Sequence, residues 1–129
     1  MGARIPKLLD ELIELALLHP AVETVHIRGR EHFAIRGYLR MRLGLRSQDL
    51  VEIFVYLVEG EDGVYLKDYS VHWQQADSTL RQRWDNAPHH AELANFPYHT
   101  HRSPEIVEAT PILQWEDIRR LLEEQILGE

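Results

Sequence analysis

The spacing of apolar residues changes twice along this chain. From Ile5 to Leu18, the residues Ile5, Leu8, Leu9, Leu12, Ile13 and Ala16 recur at helical intervals, which predicts an amphipathic helix. Pro6 fits its first turn, where a backbone N–H has no helical acceptor, and Pro20 marks its stop. From about Trp115 to Leu127 the helical spacing returns, with Trp115, Ile118, Leu122 and Ile126 on one face and Gly128 as terminator.

Between these helices the period falls to two. Phe33, Ile35, Leu39, Met41 and Leu43 alternate with Arg36, Tyr38, Arg40 and Arg42, as on a half-buried strand. Val51, Ile53, Val55 and Leu57 alternate with Glu52, Phe54 and Tyr56 on the next, and Glu59 to Gly63 (EGEDG) reads as a turn. Tyr69, Val71 and Trp73 alternate with Ser70, His72 and Gln74. After Ala76-Asp77-Ser78-Thr79 the pattern resumes as Leu80, Gln82 and Trp84 against Arg81, Arg83 and Asp85. A shorter strand is expected over Thr24 to Arg28.

Hairpin geometry sharpens this picture. A loop of two or four residues centred on Asp77-Ser78 sets His72 opposite Arg83, Ser70 opposite Asp85 and Gln74 opposite Arg81. Val71 then faces Trp84 and Tyr69 faces Asn86 on the other side. A slip of one residue would mix the aromatic and ionisable sets, so the register is self-consistent. The expected fold is α+β: one antiparallel sheet of about five strands, with the N-terminal and C-terminal helices packed on one face. Residues 1–129 are read as a single domain, without repeat, linker or low-complexity segment.

The uncovered face would carry Arg36, Tyr38, Arg40, Arg42, Phe54, Tyr56, His72, Arg81 and Arg83. Arginines interleaved with aromatics on an open sheet suit single-stranded RNA, whose bases stack while guanidinium groups hold phosphates. Arg36, Arg40, Arg42, Tyr56 and Arg81 are the candidate RNA contacts. The alternative is a sheet face packed by a partner chain, or arginines that only solvate a strand. Exposed edge strands also make a homodimer possible.

Composition alters this reading little. The net charge of −7 disfavours phosphate binding overall, yet residues 23 to 46 hold six arginines against two acids. An acidic protein can still present one basic face. The absence of cysteine excludes disulfides, thiolate metal sites and cysteine nucleophiles. No apolar run approaches the roughly 20 residues of a membrane span, and acidic residues interrupt the N-terminal apolar stretch, so a cytoplasmic location is expected.

The candidate chemistry lies between Arg83 and His101 (RWDNAPHHAELANFPYHTH), where four of the eight histidines fall within nineteen positions. His99 and His101 form an H-x-H pair whose rings share one side of an extended segment. With Asp85 and His89 they offer an alternative zinc or other divalent metal site. The favoured chemistry uses no cofactor. Cleaving RNA through its own 2′-hydroxyl needs a base, an acid and a cation for the charged phosphorane. His72 across from Arg83, with His90, His99 or His101 folded over them, meets that need, and Asp85 would orient a histidine. A Ser70–His72–Asp85 triad fails, because Ser70 and His72 point in parallel and no nucleophile turn is present. Single histidines such as His19, His26 and His32 are read as surface or helix-end residues.

The segments YSVHWQ (Tyr69 to Gln74), RWDNAPHH (Arg83 to His90) and FPYHTH (Phe96 to His101) resemble, in order and spacing, the signature of TumE-like toxins of type II toxin–antitoxin pairs. That signature runs close to YSYHWQ, RYDNAPHH and FPHHKH, so this chain departs from it at Val71, Trp84 and Tyr98. The resemblance implies a cytoplasmic toxin that blocks translation as an endoribonuclease, acting on RNA or the ribosome, with a helix-turn-helix antitoxin as partner. Of the shared positions, Tyr69 and Trp73 fall on the expected core face and are read as fold determinants, while His72, Arg83, Asp85, His90, His99 and His101 are the functional candidates. Two alternatives of other classes are a non-catalytic RNA- or ribosome-binding module and a histidine-rich metal-dependent hydrolase.

Overall fold

A computed structural model describes residues 4–86, 99–102, 106–109 and 113–128. Helix α1 (Arg4–Leu18) leads into strands β1 (Val22–Phe33), β2 (Arg36–Leu45), β3 (Leu50–Gly60), β4 (Gly63–Gln74), β5 (Leu80–Asp85), β6 (His99–His101) and β7 (Val107–Ala109). Helix α2 (Trp115–Arg120) follows and continues as a π-helical turn over Leu121–Ile126. The strands form one antiparallel sheet in chain order, each pairing with its sequence neighbour. The expected α+β architecture is therefore present, with seven strands among the described residues rather than about five. β6 and β7 are the additions. At three residues each they are too short to show an alternation of their own.

One face of the sheet is dry. Leu39, Met41 and Leu43 of β2 and Val51, Ile53, Val55 and Leu57 of β3 are almost wholly buried, in strict alternation with their neighbours. Helix α1 meets this layer with Ile5, Leu9, Leu12 and Ala16. The C-terminal helix adds Trp115, Ile118, Leu122 and Ile126, the four positions expected from spacing. Close approach has its own requirement: a Cβ on Gly37 would sit 2.5 Å from the Ile5 side chain, so only glycine lets α1 settle there. Likewise, a Cβ on Gly128 would meet the Glu123 carbonyl oxygen at 2.5 Å, where the chain leaves the last helical turn. Asp117 accepts the Gln114 backbone N–H and closes the start of α2. No helix is long and apolar enough to cross a membrane among the described residues.

Three departures from the expected strands arise from β-bulges and from one concealed turn. β1 spans twelve residues instead of Thr24 to Arg28, because bulges at Val22/Thr24 and Ile27/Gly29 break its alternation. Phe33 and Ile35 do not continue β2: Ala34 and Ile35 form a two-residue turn, Ala34 with φ 52°, and Phe33 ends β1 fully exposed. No glycine or asparagine marks that turn, so the sequence conceals it. The third lies between β4 and β5. The connecting loop is a three-residue turn with Ser78 in the left-handed region (φ 73°), and a compensating bulge at Arg81 follows. The two irregularities cancel. His72 faces Arg83, Ser70 faces Asp85 and Val71 faces Trp84, as expected, but Gln74 faces Leu80 and not Arg81.

Candidate catalytic face of the sheet

Directly paired residues in antiparallel strands point to the same side. Following the pairs across the face opposite the helices gives a single row: His26, Arg42, Glu52, His72, Arg83 and His101, one from each of β1 to β6. Beside it runs a second row of Arg40, Phe54, Ser70, Asp85 and His99. Six ionisable side chains in line across six strands do not follow from core packing, which concerns only the opposite face.

Arg83 is the centre of this arrangement. Its Nε donates to Asp85 Oδ2 at 2.8 Å, and its Nη1 lies 3.3 Å from His72 Nδ1. A guanidinium can only donate, so Nδ1 of His72 is the acceptor and its Nε2 carries the proton, given to Gln74 Oε1 at 2.9 Å. The hydrogen bonds thus assign His72 as the neutral Nε2–H tautomer. Asp85 is buried while Arg83 keeps about a third of its side chain exposed. The carboxylate fixes the Nε edge of the fork, and His72 takes Nη1. On the far side His101 Nε2 stands 3.8 Å from the same Asp85 oxygen, an ion pair once the imidazole is protonated.

The strand end that positions this group is locked by Asn86. Its Oδ1 accepts from the Tyr69 N–H at 3.0 Å and its Nδ2 donates to the Lys67 carbonyl at 2.9 Å. A side-chain amide so replaces the next ladder step, and Tyr69 and Trp84 bury their rings on the helix side. Tyr69 therefore acts as the fold determinant expected of it. Trp73 packs against the same core and gives its Nε1–H to Asp49 at 2.9 Å.

The other half of the face, on β2 and β3, is built from arginine and aromatic rings. The Arg40 guanidinium lies 4.1 Å over the Phe54 ring, Tyr38 stands beside Phe54, and Arg36 donates to the Tyr56 hydroxyl at 3.1 Å. That bond raises the Arg36 pKa above its already high ordinary value. Arg42 pairs with Glu52 at 2.5 Å. Four of the five candidate RNA contacts thus share one face. The fifth, Arg81, does not. The bulge turns it to Asp49 (2.6 Å) and to the Trp73 ring on the core side.

Not every candidate can be placed. His89 and His90 lie outside the described residues, and of His99 only the backbone is described, paired with Asp85. The alternative metal set of Asp85, His89, His99 and His101 is thereby represented by two side chains, and among the described residues no three ligating groups converge. His19 accepts the Ala21 N–H at 3.0 Å and closes the turn after α1, the helix-end role expected of it. Glu52 was missed by sequence reasoning. A bulge at Tyr56/Leu57 shifts the β3–β4 register by one residue, and counting back from the EGEDG turn would have set Glu52 opposite Val71.

A family model described as Toxin TumE matches residues 9–128, nearly the whole chain. No curated protein and no solved structure matches. The three quoted segments fall in that span and supply β4, β5 with the Asn86 lock, and β6 of the candidate face. The match across the fold and its polar row establishes that this chain belongs to the TumE toxin family, which implies an antitoxin as its partner.

Proposed function

We propose that this toxin blocks translation by cutting RNA, with imidazole and guanidinium groups and no resident cofactor. The observation that carries the reading is the His72–Arg83–His101 row, with Asp85 bonded to Arg83, on the sheet face opposite the helices. One imidazole takes the proton of a ribose 2′-hydroxyl, and that oxygen attacks the adjacent phosphorus. The P–O5′ bond breaks, and a protonated imidazole gives its proton to the departing 5′-oxygen. The products are a 2′,3′-cyclic phosphate and a 5′-hydroxyl.

Arg83 suits the phosphorane, because Asp85 holds one edge of its fork while the other can exchange its contact with His72 for a phosphate. Its move towards a phosphate would release His72 Nδ1, the only ring nitrogen of His72 with a lone pair, to act as base. His101, beside Asp85, would then be the acid, stabilised as imidazolium by that carboxylate. His99 and His90 belong to the same proposal through their place in the motif. Arg36, Arg40, Arg42 and Tyr56 would hold the rest of the strand. We further propose a cytoplasmic toxin whose antitoxin carries a helix-turn-helix domain.

The test is turnover. Purified protein is mixed with a large excess of a defined single-stranded RNA in the presence of a chelator, beside a folded His99→Ala/His101→Ala variant. Multiple cuts per toxin by the wild type, absent from the variant, support the proposal. Inhibition of translation without any cut would favour a binding module, and activity lost to the chelator would favour a metal-dependent hydrolase.

A further inference from the structure

Beside the Arg83 site the open face sinks into a groove of about 200 Å³, lined by Arg28, Arg40, Arg42, Glu52, Phe54 and Ser70. Glu52 is its only carboxylate among the described residues, and nothing in the proposed cleavage uses it. The carboxylate is half-exposed, and Arg42 engages just one of its oxygens, through Nη2. Ser70 joins the groove to the reacting groups, since it pairs with Phe54 on one side and with Asp85 on the other. Glu52 itself stands directly opposite His72.

We propose that this groove is a guanine-recognition subsite, with Glu52 as the specificity-determining residue. The inference rests on the RNA-cleaving reading and extends it to the base next to the cut. The neighbouring Arg42 and Glu52 present a donor followed by two acceptor oxygens. The Watson–Crick edge of guanine is its complement: O6 accepts, then N1–H and the N2 amine donate. Uracil offers a single N–H between two carbonyls, while adenine and cytosine set a ring-nitrogen acceptor against the carboxylate. Only guanine satisfies both oxygens. Phe54, under the Arg40 guanidinium, supplies an aromatic edge on which the base settles. The half-exposed Arg42–Glu52 pair is weak in itself, so its exchange for base contacts costs little.

The experiment measures binding apart from cleavage. Guanosine, adenosine, cytidine and uridine monophosphates are titrated into the folded protein and followed by amide NMR shifts. GMP is expected to bind tightest, by roughly 5-fold to 150-fold, the usual range for a bidentate base contact, with shifts at Phe54 and Ser70. E52Q replaces an acceptor pair by one acceptor and one donor, and should lose the GMP preference in favour of AMP. Equal binding of the four nucleotides, or a GMP preference unchanged in E52Q, overturns the subsite. Should E52Q not fold, the wild-type shift map decides: GMP shifts at sites other than the groove overturn the proposal. The two readings separate cleanly. GMP selectivity without RNA cutting defeats the cleavage proposal alone, and cutting without preference for guanine beside the cut defeats this one alone.

Discussion

The two halves of the sheet face opposite the helices use arginine in opposite ways. On β2 and β3, Arg40 rests on Phe54, Arg36 reaches Tyr56, and Glu52, paired with Arg42, is half-exposed. On β4 to β6, Arg83 is fixed by a buried carboxylate and bonded to an imidazole whose tautomer it dictates. An exposed ion pair is worth little and exchanges partners readily, whereas a buried acceptor holds its donor in one geometry. The first half is suited to gripping a chain of nucleotides. The second is suited to placing charge where a reaction develops it.

Substitutions should divide along that line. The largest effect is expected from His99→Ala/His101→Ala on the β6 side, since each positioned acid or base contributes about 10²–10⁴ in rate. Single-turnover cleavage should fall by at least that factor, with the circular dichroism spectrum retained. Next comes Arg83→Lys. An ammonium cannot span His72, Asp85 and a phosphate, so kcat should drop by about 10²–10³. The ¹⁵N shifts of His72 should move with it as Nδ1 loses its donor; unchanged shifts would contradict the tautomer assignment.

On the other half, Phe54→Ala should act on affinity. Loss of the ring that carries the Arg40 guanidinium and borders the groove should be read as a rise in KM with kcat little altered. A fall in kcat instead would erase the distinction between the halves. The smallest effect is expected in the turn that joins β4 to β5. Hydrogen bonds from Thr79 hold the Asp77 carboxyl below its ordinary pKa. A depressed folded-state pKa stabilises the protein above the ordinary carboxylate range, and that contribution is lost as pH falls through the lowered value. Asp77→Asn should therefore lower Tm slightly at neutral pH, and the difference should shrink on acidification.

Much of this arrangement was legible in the sequence, and the exceptions have physical reasons. Periodicity located both helices, because an amphipathic stripe must meet a core wherever it forms. The pairing of His72 with Arg83 was reached through an assumed even-numbered loop. The protein arrives there by a three-residue turn and a bulge that cancel, and the cost of the wrong route was Arg81. Glu52 stood in the same alternation as Phe54 and Tyr56, but its partner was hidden, since an extra residue in β4 shifts the β3–β4 register by one. The Ala34–Ile35 turn carries no turn-forming residue, so its hairpin merged with a strand. The motif histidines were conspicuous by density. Which strand each would join depended on β6, whose three residues have no periodicity to read.

The central claim is that a ring nitrogen and a guanidinium turn the ribose of the substrate against its own phosphate. Its most direct measure is the chemistry of the severed ends, analysed by mass spectrometry after cleavage of a short RNA in EDTA. The account predicts a 2′,3′-cyclic phosphate on one fragment and a free 5′-hydroxyl on the other. Fragments that bear a 3′-hydroxyl and a 5′-phosphate would contradict it.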